Sequence, residues 1–147
     1  KACVAAHEED LKNIVLCINV DMTGPLLGRD EARVTGEEAV CNALTYFYKE
    51  IGYPMNVKQD IYSSDAIPFA DKGIPGINFM RVAAMGTAQI HSRYDTIKTV
   101  TAESMERTTK FIAAFSDRVI NSVFFPIEKK MPENMVEKVD KYHKKKK

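Results

Sequence analysis

Residues 13–22, NIVLCINVDM, hold β-branched side chains at high density. The run is bounded by polar residues on one side and by Thr23, Gly24 and Pro25 on the other, so it reads as a strand buried on both faces. A strand of this kind needs neighbouring strands and helices above and below them, which confines the chain to layered α/β folds. Other segments supply those partners. MNVKQD (55–60) alternates like a short strand, and PGINFMR (75–81) reads as a second central strand. Helical patterning covers 2–12, 102–124 and 131–147. A further helix is expected from a Thr35 cap to about Ile51, where Gly52 and Pro54 stop it. Its apolar stripe is Val40, Leu44, Phe47 and Ile51; that of the 102–124 helix is Met105, Thr109, Ile112, Phe115, Val119 and Phe124, with Pro126 as its stop. The segment 24–38 is expected to be a loop with a short strand at 32–34. A polar turn and a short helix ended by Gly73 fill 61–75. The expected architecture is an α/β/α domain around a small mixed or mostly parallel sheet, spanning 1–126. Residues 127–147 form a charged helix with a solvated lysine tail.

Composition removes several functions. A net charge of +1 over 147 residues gives no basis for nucleic-acid binding, and no apolar run reaches the roughly 18 residues that cross a bilayer. The cysteines Cys3, Cys17 and Cys41 form no C-x-x-C pair, which argues against a zinc ribbon or finger. Cys17 fits a core position, and this usage slightly favours a reducing, cytoplasmic compartment. G-x-S-x-G elbows and phosphate-binding glycine loops are absent. The first residue is Lys1, not methionine, so residues upstream of it are expected.

In layered α/β domains, ligands gather at the carboxyl ends of strands. Asp21 stands at such an end, and the long 82–101 connection follows another. That connection contains His91, with Asp95 four residues on in IHSRYDT. An imidazole is a common metal ligand, and a nearby carboxylate can orient it. By contrast, His7 and His143 are expected on solvated helix faces. Asp21 and His91 alone are two ligands where a catalytic zinc needs three. On spacing alone, Asp21 is better explained as a turn or cap residue.

Four stretches, in order, carry more: KACVAAHEEDLKNI, INVDMTG (18–24), YSSDAIPFADKGIPGINFMR (62–81) and IHSRYDT (90–96). Together they resemble the C-terminal half of the co-catalytic zinc aminopeptidases. That family includes the bacterial leucyl aminopeptidases and aminopeptidase Y, and is related to glutamate carboxypeptidase II, the transferrin receptor and glutaminyl cyclase. The resemblance covers residues 1 to about 120 and implies that Asp21 binds one of two zinc ions and His91 the other. It implies further that the bridging Asp, the other ligands and the general-base Glu lie upstream, in a missing N-terminal half of the same domain. Glu8 and Glu9 fall inside the following helix and are not the catalytic pair. The implied activity is removal of N-terminal residues from a peptide substrate by metal-activated water, with the present chain inactive alone.

Two departures bear on the site. Many relatives have S-D-H where Ser64, Asp65 and Ala66 stand, and several have Tyr where Ile90 precedes the late His. Tyr62 is the nearest candidate for steadying the oxyanion. Asp65 is read as the cap of the short helix, and Arg81 as meeting either a substrate carboxylate or an acid of the protein. A metal-free binding module, as in the receptor branch, is the rival reading, against which the retention of both Asp21 and His91 argues. Glutaminyl cyclisation with one zinc is a third.

Overall fold

The computed structural model describes residues 2–83, 90–124 and 127–145. Four strands form one mixed sheet: β1 (Cys17–Val20), β2 (Arg29–Thr35), β3 (Asn56–Gln59) and β4 (Gly76–Val82), in the order β1-β4-β2-β3. β1 runs parallel to β4, β3 runs parallel to β2, and β2 meets β4 antiparallel with Ala32 opposite Phe79. The helices are α1 (Ala2–Ala6), α2 (Glu38–Glu50), α3 (Ile67–Ala70), α4 (Ala102–Ile120) and α5 (Glu133–Lys145). No helix among the described residues is long and apolar enough to cross a membrane.

The expected layered α/β class is the observed one, but the roles of two strands are exchanged. β1 lies at the sheet margin, and Val15 and Val20 are 39% and 49% exposed. Its apolar run is therefore half-buried, not buried on both faces. The centre is taken by β4 and by β2, a seven-residue strand where only a short one was expected. Charges hide β2: RDEARVT alternates Asp30, Ala32 and Val34 on one face with Glu31 and Arg33 on the other. Thr35 closes this strand, its hydroxyl donating to the Asp60 carbonyl at 3.1 Å, so the expected cap belongs to the sheet and α2 starts beyond Glu37.

One face of the sheet is apolar. Ala32, Val34, Ile77 and Phe79 pack against Val40, Leu44 and Phe47 of α2 and against Phe111, Ile112 and Phe115 of α4. Phe47 and Phe115 stand 5.5 Å apart at a tilt, and Phe79 meets Phe111 edge-on. The buried stripe of α4 begins at Ser104 and Thr108, one residue before the expected Met105 and Thr109. Thr101 caps this helix by accepting from the Ser104 amide, and it ends at Ile120, so Phe124 falls outside it and is exposed. Ile51 is likewise exposed past the end of α2. The expected stop, Pro126, lies outside the described residues.

On the opposite face, α3 approaches so closely that a Cβ on Gly76 would lie 3.3 Å from the Ala66 side chain. Val4 of α1, Leu11 and Ile74 form a second small cluster. α5 presents Met135 and Val139, both buried, and touches α3. Lys146 and Lys147 of the lysine tail lie outside the described residues.

Candidate metal site at the strand ends

Asp21 extends the β1–β4 ladder by one bond, its amide donating to the Phe79 carbonyl at 2.9 Å. The chain then turns sharply at Met22, whose φ of 54° is a left-handed conformation that non-glycine residues rarely adopt. The Met22 carbonyl is held by the Arg81 amide at 3.2 Å. His91 itself has a φ of 60°. These are the two positive-φ non-glycine residues among those described, and they fall on and beside the two metal-ligand candidates. Backbone strain of this kind persists where surrounding structure over-determines it, which is common at functional sites.

The loops carrying Asp21 and His91 are clasped together. Pro25 bridges to Val100, and the Thr101 amide donates to the Gly24 carbonyl at 2.9 Å. A Cβ on Gly24 would lie 2.6 Å from the Val100 side chain, so any larger residue there would force Val100 to shift.

Of the residues singled out from the sequence, Asp21, Tyr62, Arg81, His91 and Asp95 all line one cavity of about 610 Å³. Asp65 lines an adjoining cavity of about 360 Å³, which Asp21 and His91 also border. Asp21 and His91 are exposed, as a pair facing open cavities would be. Arg81 is 9% exposed and fully engaged: it donates to Asp30 at 3.0 Å, to the Pro25 carbonyl at 2.8 Å and to the Leu26 carbonyl at 3.4 Å. Of its two sequence readings, the structure shows the acid pairing. Asp65 does not cap α3; the cap position is Ala66, whose amide donates to the Ser64 hydroxyl at 3.4 Å. His143 is half-buried near Asp71 at 3.3 Å and not on a solvated face, whereas His7 is exposed beside Asp10.

Two groups of wall residues were invisible in the sequence. Glu31 and Arg33 line the larger cavity. Glu31 is 1% exposed, and burial works against its charge. Hydrogen bonds from Asn56 at 2.6 Å and Arg33 at 2.5 Å, with the Arg33 and Lys58 charges, outweigh burial and hold its carboxyl below the ordinary range. Recognising β2 as a strand would have put this pair on one face. The second group, Tyr142 and His143, comes from α5. Cys17 has its thiol pushed up by burial and by the Asp65 charge.

Residues 1–116 match the model of Peptidase family M28. The chain belongs to peptidase family M28. No curated protein sequence matches it. Among solved structures, this M28 chain is similar to two of BSAP, a zinc aminopeptidase from Bacillus subtilis. One superposes with a TM-score of 0.67 at 19% identity, over 89% of this chain and 35% of that one. The other gives 0.63 at 22% identity, over 78% and 31%. An aminopeptidase from Aneurinibacillus sp. strain AM-1 gives 0.62 at 16% identity, over 80% and 29%. The M28 chain thus shares their fold and spans about a third of their length.

Carboxylate oxygen and imidazole nitrogen are zinc donors, so Asp21 and His91 suit the metal in type. In number they are short, since no group of three or more His, Cys, Asp or Glu among the described residues is placed to hold a metal ion.

Proposed function

We propose that this chain is part of the catalytic domain of a zinc-dependent aminopeptidase of the leucyl aminopeptidase and aminopeptidase Y type. Asp21 would hold one zinc and His91 a second, with the remaining ligands and the general base supplied from outside these residues. The observation that carries the reading is that Asp21 and His91, far apart in sequence, border the same two cavities. Bound zinc supplies a Lewis acid that polarises a peptide carbonyl and makes water nucleophilic near neutral pH. The chain's own part is placement. β1 and the Gly24–Thr101 clasp fix Asp21, the left-handed turn fixes His91, and Asp95 stands in the same cavity to orient the imidazole. Tyr62 offers a phenol to the tetrahedral oxyanion from the cavity wall. Arg81 positions the loop after Asp21 through the Pro25 and Leu26 carbonyls.

The test is zinc titration by calorimetry, with aminoacyl-anilide hydrolysis measured alongside. The chain alone should bind zinc weakly and hydrolyse nothing. Asp21→Asn and His91→Ala should each abolish the residual binding while changing stability by no more than about 0.5 kcal/mol, as expected of exposed residues. Zinc binding that survives both substitutions would remove the reading.

A further inference from the structure

The family match ends at residue 116, yet α5 lies beyond it and reaches the site. Met135 and Val139 are buried at 0% and 3% exposure and seat this helix on the domain. Lys138, Tyr142 and His143 share that helical side, at spacings that put them on one face. Each meets the segment that carries Tyr62 and Asp65. Lys138 donates to Asp60 at 2.7 Å, the Tyr142 hydroxyl and Ser63 Oγ are 2.7 Å apart, and His143 lies 3.3 Å from Asp71. Lys138 holds the Asp60 carboxyl below its ordinary range, against the effect of burial. Tyr142 and His143 then line the 360 Å³ cavity that Asp21 and His91 also line.

A cavity of that size accommodates one peptide residue, and a phenol is both donor and acceptor. We propose that Tyr142, supplied by the C-terminal helix, is a substrate-contacting residue that hydrogen-bonds a peptide held at the Asp21–His91 site. The inference rests on the peptidase reading above and deepens it. Ser63 orients the phenol, and Lys138 ties the helix to the loop through Asp60.

The test is fluorine NMR of the chain labelled with 3-fluorotyrosine, titrated with trialanine with and without zinc. Loss of a resonance in Tyr142→Phe assigns that of Tyr142. The Tyr142 and Tyr62 signals should shift saturably, while that of Tyr46, which is 75% exposed on α2, stays still. In Tyr142→Phe, which keeps the ring and the Met135–Val139 seat, the trialanine Kd read at Tyr62 should rise about 2- to 10-fold, the worth of one hydrogen bond. A still Tyr142 signal, or an unchanged Kd in the Phe variant, overturns the inference and leaves the peptidase reading standing. Zinc affinity should be the same in Tyr142→Phe as in the parent chain. Absence of zinc binding in the parent would instead strike the peptidase reading, because the phenol–peptide contact is read without zinc as well.

Discussion

On the α2–α4 side of the sheet, Phe79, Phe111 and Phe115 are each no more than 2% exposed. On the other side, the same strands present Asn78, Glu31 and Arg33, and Asn78 bonds to Asn19 of β1 across the ladder. One face is bound by dispersion and water exclusion, which depend on volume. The other adds to its smaller apolar contacts, such as Ile74 and Met135, a set of charges and hydrogen bonds, which depend on pairing. This division shows how one small sheet both folds and borders a polar cavity: the larger apolar cluster lies on the face opposite Glu31 and Arg33, which line that cavity.

Truncation on the apolar face gives the largest effect. Phe115→Ala should lower stability by about 4 kcal/mol in urea unfolding, because α2 and β4 cannot close the cavity left behind. Zinc binding measured well below the unfolding transition should stay unchanged; a parallel loss would show that the two faces are not separable. Asp30 tests the boundary between them. It accepts from Arg81, from the Tyr53 hydroxyl at 2.6 Å and from Arg107 at 3.2 Å, and the burial of Tyr53 together with this carboxylate pushes its phenol up. Asp30→Ala should cost about 3 kcal/mol by leaving Arg81 buried without its acid. It should also loosen the Pro25–Leu26 loop, read as faster amide exchange there than in α4.

The smallest effect is a pH slope. The Glu31 carboxyl is depressed in the folded chain, so its contribution is complete above the ordinary carboxyl range and is lost as pH falls through the folded value. Thermal unfolding midpoints should therefore fall between about pH 5 and pH 3 more steeply in the parent chain than in Glu31→Gln. Equal slopes would mean that the polar face contributes nothing through this carboxylate.

Periodicity was sufficient where burial followed one simple period. Val40, Leu44 and Phe47 of α2, and Ile77 and Phe79 of β4, were legible because each faces one apolar layer. β2 was not, since Asp30 and Glu31 are buried by pairing with residues distant in sequence, and pattern reading counts them as solvent-facing. The position of β1 was misread for a related reason: an apolar run reports hydrophobicity but not the number of neighbouring strands. Asp21 and His91 were visible as candidates through strand-end logic and family resemblance. Glu31 and Arg33 share a face that only a correct reading of β2 as a strand would have shown, and Tyr142 reaches its cavity through tertiary contacts, for which local sequence carries no signal.

The clasp of Gly24 and Pro25 on Val100 and Thr101 has a consequence for how this molecule fails on heating. The loop after Asp21 and the segment after His91 are joined by one short bridge, outside the aromatic layer. Loops of this kind open at lower free energy than the core. Under the proposed zinc reading, affinity for the metal should therefore fade in a first, reversible step, at temperatures where the sheet and its helices are still intact.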